Sequence, residues 1–350
     1  MTSSTGRILV TGSAGFMGSW VAHRLAELGY EVYGVDNMQH GDKENIDHNK
    51  QKFTVLDLRN RSYVEDYIQY VKPEYLFHLA ATAREGASQF SPILMTENNL
   101  NAYMNVLTAC IKTKKLKKVI LFSSMSVYGN QKPPFDETFE RKPEDVYAVA
   151  KAAMERNTEI LSDVYGFRYT IVRPHNVAGE HQSLSDLYRN VVAIFMNRIM
   201  RNEPIYIYGD GEQTRAFSYI ADSLDCYCKC IEEITDGHII NIGGINHITI
   251  NKLAEMVIEA MGEKTWKIIH LKDRPREVKH AYCTYEKSVS LLGYKEEIGI
   301  EEGIRRMAHW AKRKGPQPWT FERLEIYNEK TPITWFSDFD NKSGCRGHFI

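Results

Sequence analysis

The chain has 350 residues, 43% hydrophobic and 25% charged, an ordinary globular composition with room for one large or two unequal domains. Its 44 lysines and arginines nearly cancel 45 aspartates and glutamates, so no overall field favours nucleic acid or a membrane surface as partner, and an anionic ligand must be held by a local site. Met1 to Arg7 lacks the charged-then-apolar order of a signal peptide, and no stretch approaches the roughly 18 uncharged apolar residues of a membrane span, which predicts a cytoplasmic chain.

Through the first half, apolar runs alternate with helix-like stretches. The runs at 7–11, 31–35, 52–56, 75–78, 119–123 and 169–173 predict strands, and the amphipathic stretches 17–28 and 61–72, stopped by Gly29 and Pro73, predict helices. This order predicts an α/β fold, a Rossmann-type doubly wound parallel sheet over residues 1–178, with ligands at the carboxyl ends of its strands. Beyond Arg173 the pattern loosens: 188–201 reads as helix, 205–211 as a strand ending in a turn, 239–243 as a short strand, and 249–261 and 301–314 as helices. Residues 212–243 are expected to return to the large sheet, leaving 179–211 and 244–350 as a smaller, interleaved α/β substrate-binding domain.

Cys226, Cys228 and Cys230 crowd one predicted helix, where only Cys226 and Cys230 share a face. With no histidine or acid at zinc-like spacing they read as buried thiols, and no metal is expected. The lysine run Lys112, Lys114, Lys115, Lys117, Lys118 has no interleaved aromatics and reads as a solvated helix end.

The first strand leads into Gly12-Ser13-Ala14-Gly15-Phe16-Met17-Gly18 before a helix. Glycines at that spacing permit a tight turn, close approach of a pyrophosphate and close helix packing, and the helix start offers free N–H groups to phosphate. Asp36, at the end of the second strand, is placed to accept hydrogen bonds from an adenosine ribose and would repel a 2′-phosphate. Asn37 and Met38 offer no arginine there, so NAD is expected rather than NADP. Asp57 and Leu58 follow the third strand, near an adenine; Leu79, Ala80 and Ala81 follow the fourth, small enough for close passage of the cofactor. His78 reads as a core histidine.

Tyr147 and Lys151 stand one helical turn apart. A phenol must lose about three pKa units, about 4 kcal/mol, to act as a base at neutral pH. A neighbouring ammonium, helped by a positively charged nicotinamide ring, can supply that. Ser124, at the end of the fifth strand, would share the reacting hydroxyl's proton with Tyr147.

Taken together, the glycine turn, Asp36, Ser124 with Val127-Tyr128-Gly129, Tyr147 with Lys151, and 173–179 resemble the extended short-chain dehydrogenase/reductase superfamily, in particular its nucleotide-sugar epimerases and dehydratases. Residues 208–215 and 274–278 match the substrate-binding half. The resemblance implies a nucleotide-diphosphate sugar as substrate, with Asn176 and Asn190 at the diphosphate, Arg215 and Arg274 neutralising it, Tyr208 against the base and Glu277 at its ribose. It adds Asn99, Ser123 and Pro174 to the cofactor contacts, Ser126 and Arg84 to the sugar pocket, and a homodimer. Ala216, Ala193 and the stretch 82–88 depart from the usual pattern and leave the sugar open.

Relatives of this kind begin by oxidising sugar carbon 4, Tyr147 being the residue that would take the hydroxyl proton. A 4,6-dehydratase carries an Asp-Glu pair after the serine, and a 3,5-epimerase a cysteine and a further lysine; here Met125 and Ser126 stand instead. What remains is epimerisation at carbon 4 with the cofactor recycled. Another nucleotide-sugar epimerase, a dehydratase, a decarboxylase or a non-catalytic NAD-binding protein are the alternatives. The aromatic tail after Gly315, with Trp319, Phe321, Trp335 and Phe336, runs past the usual end of such chains and has no assigned role.

Overall fold

In the computed structural model, residues 6–336 are described except 190 and 276. Seven strands form one parallel sheet: β1 (Arg7–Thr11), β2 (Glu31–Asp36), β3 (Lys52–Val55), β4 (Tyr75–His78), β5 (Lys118–Phe122), β6 (Arg168–Pro174) and, from much later in the chain, β10 (His238–Ile242). The spatial order is β10-β6-β5-β4-β1-β2-β3. All strands run parallel, but the order in which the chain adds them reverses between β1 and β4, which opens a crevice at their carboxyl ends.

Period-two alternation divides the strand residues between two cores. Ile8, Val10, Ile120 and Phe122 face one cluster with α1 (Phe16–Glu27), while Leu9, Leu76, Val119 and Leu121 face the other with α2 (Arg61–Val71). Asn60 caps α2, its side chain accepting from the Tyr63 N–H, and Lys72 in the left-handed region ends it. Two short turns of helix follow β4, α3 (Glu85–Ser88) and α4 (Pro92–Met95), and then α5 (Ala102–Lys112). Next comes α6 (Val146–Tyr165), capped by Asp145 and stopped by Gly166 at φ 77°.

After β6 the chain leaves the large sheet through β7 (Asn176–Ala178) into a smaller lobe. There α7 (Val191–Met200), β8 (Ile205–Tyr208) and β9 (Thr214–Tyr219) precede α8 (Ile220–Lys229), which packs back on α1. Following β10 come β11 (His247–Thr249), α9 (Ile250–Ala260), β12 (Ile268–Leu271), β13 (His280–Ala281), α10 (Glu286–Leu292) and α11 (Gly299–Lys314). Residues 212–243 are thus shared: α8 and β10 join the large sheet's layers, whereas β9 pairs with β7, β11 and β13, with Phe217 buried among the small lobe's apolar residues. The run expected as a strand over 205–211 stops at Tyr208, where Gly209 and Gly211 turn the chain with positive φ.

Cys226, Cys228 and Cys230 lie buried on or just past α8, and burial pushes their thiols up, Cys226 to about 11. Among the described residues no helix is long and apolar enough to cross a membrane, and no three of His, Cys, Asp and Glu are placed to share a metal ion.

Candidate active site

A cavity of about 550 Å³ opens at the reversal between β1 and β4 and extends into the small lobe. Its floor is the turn after β1. Gly12 has φ +72° and a Cβ there would lie 2.8 Å from the Ala80 nitrogen, while one on Gly18 would meet the Gly12 carbonyl at 2.0 Å. On Gly15 the nearest atom would be 3.2 Å away, within the turn itself. The first and third glycines are therefore needed for packing, and the middle one leaves an open face toward the cavity, the shape a pyrophosphate requires.

Asp36 is buried beside this turn and accepts from the Ala14 N–H at 3.2 Å and the Met38 N–H at 2.8 Å. Burial pushes its pKa up, and those hydrogen bonds oppose the rise. Phe16, Met17, Asn37, Leu58, Leu79, Ala80, Ala81, Ser123 and Pro174 line the same cavity. Asp57 lines it too, with its carboxylate held by Arg59 at 2.6 Å. The tips of β1 and β4 are tied by Thr11 Oγ1, which contacts His78 Nδ1 at 2.9 Å and accepts from the Leu79 and Ala80 N–H groups at 3.2 Å.

Two expected contacts lie elsewhere. Asn99 is absent from the cavity wall because its amide is spent on the backbone behind it: Oδ1 accepts from Thr82 N–H at 3.0 Å and Nδ2 donates to the Met95 carbonyl at 2.8 Å. Arg84, expected in the sugar pocket, is buried outside the wall, donating to Asp186 at 3.0 and 3.1 Å, pairing with Glu322 and lying 4.7 Å over the Tyr188 ring. A guanidinium satisfied by two carboxylates and an aromatic face is a structural tie.

Helix α6 carries the reactive side chains. Asp145 starts it by accepting from the Ala148 N–H at 2.8 Å, which sets Tyr147, Lys151 and Glu155 along one face. Glu155 is locked by a bidentate Arg173 at 2.6 and 2.9 Å, fixing the helix against β6. Tyr147 and Lys151 are buried, the ammonium 5.7 Å from the tyrosine ring and donating to the Phe122 carbonyl at 2.7 Å. Ser124 Oγ accepts from the Ser126 N–H at 3.1 Å and the Ser126 hydroxyl at 2.9 Å, so its own proton is left to donate.

Burial pushes the Tyr147 phenol up, with Glu85 adding to it, while Arg189 and a hydrogen bond with Ser124 pull it down. Burial lowers Lys151 to about 7 against the opposing charge of Glu155. Asp145 rises to about 6 through burial and the nearby Glu85. Glu85, Asp145 and Arg189 line the cavity around Tyr147; Glu85 belongs to the stretch 82–88 already set apart in the sequence, whereas Asp145 and Arg189 were not anticipated. Of these only Asp145 left a signal, an acid directly before a helical apolar pattern.

On the small-lobe side, Asn176, Tyr208, Arg215, Arg274 and Glu277 line the cavity, with Ser126 on the opposite wall just after β5, while Asn190 lies outside the described residues. Glu277 accepts from Arg274 at 2.8 and 3.0 Å and stands 3.6 Å from Arg215. Arg274 also lies 5.1 Å from the Tyr208 ring, and Asn176 donates to the Ala216 carbonyl at 2.9 Å. Thr334 and Trp335 of the aromatic tail complete this wall.

Residues 8–243 match the model of the NAD dependent epimerase/dehydratase family. The chain is 31% identical to a UDP-glucuronate 4-epimerase of Thermodesulfobacterium geofontis, covering 88% of this chain and 96% of that protein. A UDP-N-acetyl-alpha-D-glucosaminuronate decarboxylase of Bacillus cytotoxicus is 30% identical over 87% of this chain and 97% of its own length. The crystal structure of a UDP-glucose 4-epimerase from Thermotoga maritima with UDP-glucose superimposes with a TM-score of 0.83 at 32% identity, covering 88% of this chain and 99% of that one. The chain belongs to the NAD dependent epimerase/dehydratase family and is an enzyme whose cofactor is NAD.

Proposed function

We propose that this enzyme inverts carbon 4 of the sugar in a nucleotide-diphosphate sugar, Tyr147 taking the hydroxyl proton and later returning it. The observation that carries this reading is the grouping of Ser124, Tyr147 and Lys151 on the cavity wall beside the open face at Gly15, with Met125 and Ser126 following the serine. NAD, when bound, accepts a hydride from the sugar and gives it back.

The remaining work falls to the chain. With its oxygen taken by the two Ser126 donors, Ser124 turns its own proton to the sugar oxygen and holds it toward Tyr147. A phenol kept protonated by burial becomes a base only when positive charge is brought to it, and Lys151 with the cofactor's ring supplies that charge. The turn at Gly12, Gly15 and Gly18 would hold the pyrophosphate of NAD and Asp36 its adenosine ribose, with Asp57 and Leu58 placed for the adenine. On the opposite lobe, Arg215 and Arg274 share Glu277, so positive charge remains for the substrate diphosphate, with Asn176 beside it and Tyr208 against the base. Met125 and Ser126 hold no carboxyl or thiol, so the residues after Ser124 offer no second acid or base for eliminating water.

The protein pairs with a second copy through α6, where Val149, Ile160 and Val164 are 52%, 44% and 66% exposed along one stripe of the helix. Light scattering on the purified protein checks this, a monomer at micromolar concentration contradicting it.

The chemistry is tested by incubating the holoenzyme with UDP-glucose, UDP-galactose, UDP-glucuronate and UDP-N-acetylglucosamine and identifying products by NMR. A mixture of carbon-4 epimers with no accumulated NADH is expected. Release of water or carbon dioxide would move the assignment to a dehydratase or a decarboxylase.

A further inference from the structure

Beyond Gly315, at the end of α11, the chain runs across the mouth of the cleft and touches both lobes. Gln317 exchanges hydrogen bonds with the Asn197 side chain of α7 at 2.9 and 3.0 Å, and Trp319 Nε1 donates to Glu203 at 2.8 Å. The chain then crosses to the segment after β4. Glu322 pairs with Arg84 and with His40 at 3.2 Å, and the N–H groups of Glu325 and Ile326 donate to the Phe90 carbonyl at 2.9 and 3.0 Å. The Glu325 carboxylate accepts from the Ile93 and Leu94 N–H groups at 2.9 and 2.8 Å, at the start of α4.

Residues 334 and 335 reach the site. Trp335 is 4% exposed, its ring 5.8 Å from Phe90 and 5.3 Å from Tyr188, and it forms part of the cavity wall. Thr334, also buried, shares a hydrogen bond with the Tyr208 hydroxyl. A Cβ on Gly86 would lie 3.5 Å from Arg274 Nη1 and 3.6 Å from the Trp335 ring, so these groups converge at one end of the cavity. Ordering a buried indole and a paired hydroxyl against an open cavity fixes the shape of the wall a ligand meets there.

We propose that residues 316–336 form a strap that closes the nucleotide end of the substrate site, with Trp335 and Thr334 in contact with the nucleoside of the bound nucleotide sugar. This rests on the reading of Tyr208 and Arg274 as the nucleotide end. The strap sets affinity and base preference; the sugar chemistry at Tyr147 does not depend on it. Glu322, held by Arg84, is its anchor in the cofactor lobe.

The test measures UDP, dTDP, CDP and GDP binding to the NAD-loaded protein by calorimetry, beside KM and kcat with the sugar nucleotide that turns over. Trp335→Ala is expected to weaken nucleotide binding and raise KM by about 10-fold, with kcat within about 3-fold and NAD content unchanged. Trp335→Phe keeps an aromatic face and recovers most of the affinity, but loses the share of the nucleotide-induced fluorescence change that Trp335 contributes. Should Trp335→Ala not fold, Thr334→Val, with a smaller loss in the same direction, and the fluorescence of Trp335→Phe decide the matter. Wild-type affinity and KM in the Trp335 and Thr334 variants, in an enzyme that epimerises normally, overturn the strap alone. Tight nucleotide binding that depends on Trp335 in an enzyme inverting no sugar overturns the proposed reaction and leaves the strap standing. No nucleotide bound by the wild-type protein overturns both.

Discussion

The two sides of the cleft are built on different physics. On the cofactor side, the site is mostly backbone: a turn whose glycines at 12 and 18 leave no room for a side chain, one carboxylate at the end of β2, and small residues after β4. On the substrate side it is side chain against side chain, with Arg274, Glu277, Tyr208, Thr334 and Trp335 brought together from segments far apart in the chain. The first kind of site is written in a few short runs, each directly after a strand. The second depends on how distant segments pack.

The largest effect separates chemistry from binding. Tyr147→Phe is expected to lower kcat by ~10²- to 10⁴-fold while NAD remains bound, measured by product formation and by the cofactor released on denaturation. Substantial turnover in this variant would remove the tyrosine from its role.

Next comes the tie between the sides. Arg84→Ala leaves Asp186 and Glu322 without their guanidinium, a buried charge left unpaired, and is expected to cost about 3–5 kcal/mol in chemical denaturation. Since Arg84 is outside the cavity wall, the stability loss should exceed any change in kcat. A large fall in kcat with unchanged stability would put Arg84 back in the sugar pocket.

Asp36→Ala probes the cofactor side. Removing a charged acceptor from a ribose is worth about 1.5–3 kcal/mol, ~10- to 100-fold in NAD affinity, and nucleotide binding across the cleft should stay as it was. A change confined to nucleotide binding would reverse the assignment of the two ends.

The smallest effect is at the junction. Burial holds His175, between β6 and β7, neutral, with its pKa lowered to about 4 from 6.5. The folded-state value is depressed, so the stability this gives is full above pH 6.5 and is lost as pH falls through 6.5 toward 4, where the unfolded chain takes up a proton the folded one refuses. His78, pushed well below its ordinary value, and His181, lowered to about 4, act in the same direction, while Asp145 and Asp36, raised by burial, act against them. In His175→Asn the slope of unfolding free energy against pH in that window should fall by up to about 1.4 kcal/mol per pH unit. An unchanged slope would mean that His175 is charged in the folded protein.

How much was legible follows from the same contrast. The central parallel strands announce themselves as apolar runs because both faces are buried, and β1 and β4 fall at the predicted residues. The glycine turn and the Tyr147–Lys151 spacing are short-range features, fixed by one turn and one helix. Arg84 and Asn99 went astray for a long-range reason. Nothing near Arg84 in sequence shows that Asp186 and Glu322 will claim it, and, although the Met95 carbonyl lies only one helical turn before Asn99, nothing beside Asn99 shows that the Thr82 backbone will fold back onto its amide. The tail was visible as aromatic but not as part of the site, because its place depends on Phe90 and Tyr188 arriving from the other side of the cleft.

The central claim is that the sugar is oxidised and re-reduced at carbon 4 with Tyr147 handling only the hydroxyl proton, and turnover in D₂O tests it most directly. Hydride that leaves and returns does not exchange with water, so NMR should find epimerised sugar nucleotide with no deuterium on any ring carbon. Deuterium at carbon 3 or carbon 5 would show that a proton beside the ketone is removed and replaced, and would contradict the account.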